Sequence, residues 1–491
     1  MNREILANLS EPESGGFPNG CVSTPAALRI GESRGKRNMK TIQTEGSTNP
    51  VKFFPIFLGA TLAAMIDSAQ VLIDETVIGN LFDDAAFGAV NLLEPYLLLE
   101  EFVSYLICVG GTALLVRARG AKNTREMPKL YNHCVTCCLI AGLTFCTLYS
   151  LFDEQLVSLV ARDSAAYPIA LRAFYWDRFN SFVTPLYDFL YTYTLYFNGA
   201  LFSSISMLVK LGVNTALSVY LGVKIGIAGV TCATLIANCA GLSILCLYIL
   251  VKHRGFHYRP YVNPGTIKTL TLLGLPESSF FLSIFILEAG VNTAAMRQFS
   301  IRGVAVAAVL INLYEVVAFM SEGISEYETA AVNWALGEKN REELQHGMRV
   351  TFRAVLMESV FFSLLFLLAA PRIIRLFDID DAEAAKSAIT AVRVLAVSPA
   401  AIITTRVTAI FYQYTEKIGR AILVWVFFLG VVPLLLAAFL SLAGLSAMVW
   451  GVALGPVIAV ALLWTLPTGR KRSAGVDLRR TTVVFRDGFL S

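Results

Sequence analysis

The residues of this chain best suited to chemistry are carboxylates set in apolar surroundings. The stretch NLLEPYLLLEEF, Asn91 to Phe102, holds Glu94, Glu100 and Glu101. Asp67 and Asp74 precede it, and Glu288, Glu315, Glu322 and Glu326 recur far down the chain. Glu94 and Glu101 are seven residues apart, about 20° from eclipsed on a helix of 3.6 residues per turn, so they share a face. Asp67 and Asp74 do the same. Carboxylates aligned in this way hold cations or exchange protons, because each can switch between a charged and a neutral form. A charge in hydrocarbon costs roughly 2.5–3.5 kcal/mol on insertion scales, so these stripes are expected to face a water-filled cavity or paired cations.

Structural pairing is the plainer account. Arg178, Arg297, Arg353, Arg393 and Arg406 could each neutralise an acid. That account weakens for the first stripes, since no basic residue lies between Lys52 and Arg117. Glu100, about 100° round the helix from Glu101, is expected to point into a neighbouring helix. Glu328 lies off the stripe, near a helix end where solvation is easy. Aromatic residues make up 11% of the chain, and YDFLYTYTLYF sets Tyr187, Tyr191, Tyr193 and Tyr196 on one segment. Aromatic faces beside carboxylates suit lipophilic cations. Interfacial anchoring is the better account of Tyr193 and Tyr196, and Tyr187 and Tyr191 are open to either.

Other chemistry finds little support. Cys134, Cys137 and Cys138 share an apolar segment without acidic or imidazole partners at ligand spacing. His253 and His257 sit among Lys252, Arg254 and Arg259, which would repel a cation. No metal centre is expected. Walker, nucleophile-elbow and dinucleotide motifs are missing, which argues against an enzyme and against ATP hydrolysis.

The elements that must position the acids are membrane helices. Of 491 residues, 56% are hydrophobic and only 15% charged, with mean hydropathy +0.62. Twelve apolar windows follow one another at roughly 51–79, 86–117, 129–152, 167–197, 203–221, 226–252, 267–296, 303–335, 344–369, 385–413, 419–440 and 445–466. Their length suits bilayer-spanning helices rather than barrel strands. Basic residues collect in alternate loops: Arg117 to Lys129, Lys252 to Arg259, Lys339 to Arg349, and Lys417 with Arg420. The intervening loops carry Asp83 and Asp84, Asp153 and Glu154, and Asp378, Asp380 and Asp381. The basic loops and both termini are therefore expected in the cytoplasm. Residues 1–50 are polar and read as a disordered cytoplasmic tail, and 471–491 as a basic tail suited to anionic headgroups.

The two halves repeat. NLLEPYLLLEE aligns with NLYEVVAFMSE, since 312 − 91 and 315 − 94 both give 221. The same offset carries Glu101 onto Glu322, Pro55 onto Pro276 and Asp67 onto Glu288. GAKN at Gly120 meets GEKN at Gly337, now at 337 − 120 = 217. Six crossings return the chain to its starting side, so the copies are parallel six-helix bundles, 51–260 (N-lobe, helices 1–6) and 261–470 (C-lobe, helices 7–12).

These segments resemble the MATE (multidrug and toxic compound extrusion) transporters of the oligosaccharide-exporter superfamily. The likeness rests on LIDETVIGN, AVNLLEP, GGTALLVRARGAKN, GEKN, VKIGIAGVTCATLIAN and FYQYTEKIGR, in order, over about 51–466. It implies an all-α membrane protein in the plasma membrane, of the bacterial inner-membrane kind. The implied activity is secondary antiport, exporting cationic drugs in exchange for H⁺ or Na⁺ without another cofactor. Flipping of a lipid-linked saccharide or other amphiphile by the same fold is the alternative. The resemblance places the coupling ion at Asp74, through Asp74-x4-Gly79, and likens Glu288 to the helix-7 acid of the sodium-coupled branch. The acidic stripes add Asp67 and Glu94 to the ion site, and with the aromatic cluster they give a substrate cavity of Glu101, Asp67, Tyr187, Tyr191, Glu288, Glu315 and Glu322. Helix 10 departs from the sodium-coupled branch: it offers Arg393 and Arg406 and no carboxylate in its apolar span. Partners are expected to be small cations and lipids, and the chain to act as a monomer. The loop charges make one outcome testable: a membrane-impermeant thiol reagent applied outside should label Asp83→Cys and Asp380→Cys, and leave Lys122→Cys and Lys339→Cys untouched.

Overall fold

In hydrocarbon each backbone N–H and C=O must be satisfied within its own segment, which selects helices for long apolar runs. The computed structural model describes residues 51–82, 90, 93–161, 167–252, 258–375, 382–415 and 418–465, and every regular element among them is helical. Both tails, the acidic turns holding Asp83, Asp84, Asp378, Asp380 and Asp381, and the stretch from His253 to His257 lie outside the described residues.

The first six helices are α1 Phe53–Leu81, α2 Glu94–Gly120, α3 Glu126–Ala161, α4 Tyr167–Thr194, α5 Ala200–Ile225 and α6 Ile227–Lys252. After them come α7 Pro264–Met320, α8 Glu322–Glu338, α9 Arg341–Arg375, α10 Ala382–Leu395, α11 Pro399–Tyr414, α12 Ile418–Ser441 and α13 Leu445–Thr465. They fall on the segments expected from sequence. By length and hydropathy eight described spans can cross a membrane, or nine if α10 and α11, bent by 52°, count as one. In the first helix the apolar stretch Phe53–Ile66 is shorter than a full span among the described residues.

Two reversals are hidden in continuous helix. Ser203 Oγ donates to the Tyr191 carbonyl (3.2 Å) and Ser206 Oγ to the Tyr187 hydroxyl (3.3 Å), so α4 and α5 run antiparallel. The wide turn Leu195–Gly199 joins them, with Asn198 at φ 67°, a conformation Asn tolerates better than most residues. The 57 residues of α7 would reach about 85 Å if straight, but the rings of Phe280 and Phe319 lie 5.6 Å apart. The chain therefore doubles back inside α7. Where sequence placed helices at 267–296 and 303–335, the structure joins them through the turn and steps at Ser321 into α8.

The repeat is visible in the backbone. Lys122 and Lys339 both close their helix in the left-handed region, at φ 55° and 54°, and 339 − 122 gives 217 again. Between the halves, α2 and α8 each enter the other's core. Val109 and Ala113 of α2 pack with Leu273, Phe280, Tyr314 and Trp425, while Tyr327, Ala330 and Trp334 of α8 pack with Ile56, Phe189 and Leu195.

Glycines permit this crossing. A Cβ on Gly110 would sit 2.1 Å from the Leu270 carbonyl oxygen, and one on Gly274 2.4 Å from that of Leu106. Near the turns, Gly120 meets the Trp334 carbonyl (2.4 Å) and Gly337 that of Arg117 (2.2 Å). These contacts bring the ends of α2 and α8 together beside the basic loops. Gly337→Ala and Gly120→Ala should each destabilise the protein by about 1–3 kcal/mol through overpacking. Gly212→Ala, where an added Cβ meets nothing within 4 Å, should be neutral or stabilising. Thermal unfolding in detergent separates the two signs.

Candidate functional site

The site begins with α5 laid against α1. Asp74 on α1 is half-buried, and Asn214 Nδ2 donates to both of its oxygens, at 2.8 and 2.9 Å. Ser218 Oγ donates to Oδ1 at 3.0 Å. Lys210, Asn214 and Ser218 recur every four residues and so share one stripe of α5. Lys210 lies within electrostatic range of Asp74, with its ammonium 5.2 Å from the centroid of the Tyr187 ring.

Behind Asp74 the acids continue through the first half. Asp177 of α4 is buried within electrostatic range of Asp74, and Glu100 of α2, 3% exposed, lies within range of Asp177, Glu101 and Asp188. Asp188 accepts from Ser104 Oγ at 2.5 Å. Glu100 thus points into α4, as its helical angle implied, with Thr184 as hydrogen-bond partner. Glu101 is exposed. Asp67 and Glu94 belong to α1 and α2, but their side chains lie outside the described residues. Tyr187 donates to Met207 Sδ (3.1 Å) and Tyr191 to the Gly59 carbonyl (3.2 Å), so both are buried and tie α4 to α5 and α1.

The second half satisfies its acids differently. Glu322 is ion-paired with Arg406, which also donates to the Ala318 carbonyl. The guanidinium is 3% exposed and stacks over Phe280 (5.0 Å) and Trp425 (5.8 Å). Glu277 of α7, 4% exposed, accepts from Gln413 Nε2 at 3.2 Å and lies in electrostatic range of Arg406. Glu326 accepts a hydrogen bond from the Tyr196 hydroxyl, which links the end of α4 to α8. Glu288 is exposed and Glu315 half-buried, each within range of the other. Arg117 links the halves: Nε donates to Asn333 Oδ1 (2.6 Å) and Nη2 to the Tyr414 carbonyl (2.7 Å).

Two expectations change. Tyr193 and Tyr196 are buried rather than anchoring at an interface, Tyr193 stacked on Phe197 (4.5 Å) and Tyr196 bonded to Glu326 of α8. Glu328 is fully buried rather than solvated, and neither carboxylate oxygen has a hydrogen-bond partner among the described residues. The interpenetration of α2 and α8 carries Tyr196 and Glu328 inside.

Asp177, Asp188, Lys210 and Glu277 were missed by the sequence reading. A signal was present for two of them: 188 − 177 is 11, three helical turns, so both acids line one face of α4.

Comparison with known proteins agrees with this architecture. Residues 60–194 match the MatE family model. No curated protein matches the chain in sequence. The fold is similar to a crystal structure of MATE in complex with MaL6, with TM-score 0.79 and 18% identity, covering 89% of this chain and 98% of that one. It is similar also to a MOP superfamily transporter from Pyrococcus furiosus, with TM-score 0.76 and 19% identity, covering 85% of this chain and 95% of the other. That transporter's binding pocket is described as reversed in polarity, suggesting a different function. An outward-facing multidrug resistance MATE transporter gives the same values. Residues 60–194 thus match the MatE family model, and the described chain has an all-α fold, with several helices long and apolar enough to cross a membrane, similar to that of solved MATE structures.

Arg406 is the test of pairing in the second half. Arg406→Met should cost about 3–5 kcal/mol, because it strands the buried Glu322 and Glu277. Arg406→Met with Glu322→Gln should recover part of that loss in thermal unfolding.

Proposed function

We propose that this MATE-type membrane protein is a secondary antiporter that exports organic cations in exchange for an inward-moving H⁺ or Na⁺. The observation that carries the proposal is Asp74: a carboxylate deep in a membrane helix, held by Asn214 and Ser218 and backed by Asp177 and Glu100. Such a group is held in place by donors without being locked to one cation, which a group that loads and unloads an ion requires. Glu101 and Glu288 are exposed and Glu315 is half-buried, and these acids would attract a cationic substrate. Arg406 is committed to Glu322, which leaves Glu322 a structural role in this conformation.

Exchange follows if loading Asp74 lowers the affinity for substrate in one conformation more than in the other. Tight binding alone would shift nothing. The glycine contacts near Gly120 and Gly337 bring the ends of α2 and α8 together beside the basic loops, and this conformation would receive its ion from the opposite side. The membrane would be the bacterial inner membrane, the working unit a monomer, and the partners small cations and lipids.

In proteoliposomes with imposed pH and sodium gradients, Asp74→Asn and Glu101→Gln should each reduce gradient-driven efflux of a cationic dye to background. Thermal stability in detergent should stay near that of the parent. Transport at the parent rate by both variants would assign the acids to structure.

A further inference from the structure

We infer that Lys210 keeps sodium out of the Asp74 site and so leaves that site to the proton. The inference rests on the reading of Asp74 as the coupling group and narrows two candidate ions to one.

Lys210 lies 10 residues into α5 (210 − 200) and 15 from its end (225 − 210), about 15 and 22 Å from the helix termini. A lysine at that depth is retained at a cost unless a partner holds it. Two bonds fix the direction in which its stripe faces. Asn214 and Ser218, one and two turns further on, both reach Asp74, so Lys210 stands on the same side. Its ammonium sits over the Tyr187 ring, whose hydroxyl is tied to Ser206 and Met207. The lysine is therefore held beside the carboxylate by a fixed aromatic face.

Every group brought to Asp74 by α5 is a donor or a cation: the Asn214 amide N–H, the Ser218 hydroxyl and the Lys210 ammonium. A sodium ion needs several oxygen ligands, and here it would meet hydrogens aimed at the same carboxylate and a tethered positive charge. A proton needs no coordination shell, because it bonds to one carboxylate oxygen. The resulting acid O–H has an acceptor at hand. Asn214 Oδ1 is buried and without a hydrogen-bond partner among the described residues, and rotation of the amide would present it to Asp74.

The other charges facing Asp74 are few. Asp177 approaches from α4, with Glu100 and Glu101 of α2 beyond it; Asp67 and Glu75 share α1; α6 carries no charge before Lys252. Lys210 thus places a positive charge on the face of α5 that a sodium ion at Asp74 would meet. Removing it would leave Asp74, Asn214 Oδ1 and Ser218 Oγ as an oxygen set open to sodium.

The experiment uses the full-length protein in proteoliposomes, with efflux of a cationic dye driven separately by a pH or a sodium gradient. The parent should follow the pH gradient and ignore sodium. Lys210→Met and Lys210→Gln should gain sodium-driven efflux several-fold above the parent, and sodium but not potassium should raise their melting temperatures in detergent. Lys210→Arg should behave as the parent. Adding Asp74→Asn to Lys210→Met should abolish the sodium response. Sodium-driven efflux by the parent would overturn the inference, as would Met and Gln variants whose efflux and melting temperature respond to sodium no more than the parent's. Undiminished proton-driven efflux by Asp74→Asn alone would overturn the reading of Asp74 itself, a different failure.

Discussion

A carboxylate inside a membrane must have a hydrogen-bond donor, a cation or water within reach, and the arrangement of this protein follows from meeting that demand many times over. Asp74 is met by amide and hydroxyl donors, Glu322 by a guanidinium, Glu326 by a phenol, Asp188 by a serine. The solutions differ in how readily they release the acid. An ion pair sandwiched between Phe280 and Trp425 is committed. A carboxylate held by amide and hydroxyl donors is not committed in that way. The two halves, built from one repeated plan, thereby hold their acids differently.

The repeat also sets how the halves meet. Equivalent turns at Lys122 and Lys339 end α2 and α8 in the same backbone conformation, and glycines on both helices bring them into backbone contact. Small residues at such crossings replace the driving force that apolar side chains lack among lipids. Here the crossing also carries polar links, through Arg117 to Asn333 and through Tyr196 to Glu326. Each links a residue of the first half to one of the second, so these bonds depend on this arrangement of the halves.

Much of this was legible in the sequence because membranes simplify the rules. Apolar windows marked the helices, and the recurrence of Glu94 and Glu101 as Glu315 and Glu322 marked the duplication. What was not legible is which acids are neutralised by whom. Arg406 could have answered any of several glutamates, and only packing chose Glu322. Lys210 escaped notice because a lone lysine in a long apolar window changes neither the hydropathy nor the loop charge. The gap between the windows 267–296 and 303–335 marked the turn inside α7, yet its helical continuity was not readable, since a helical turn and a loop can share a composition.

The exchange of side chains between cores has a thermal consequence. Val109 and Ala113 on one side, and Tyr327, Ala330 and Trp334 on the other, are covered by residues of the opposite half in this conformation. Opening the basic-loop end to water would hydrate these apolar surfaces, and apolar hydration carries a large positive heat capacity. The balance between shut and open states would then curve with temperature instead of following a single enthalpy. An organism that warms or cools would shift the resting orientation of this protein without altering any ion gradient.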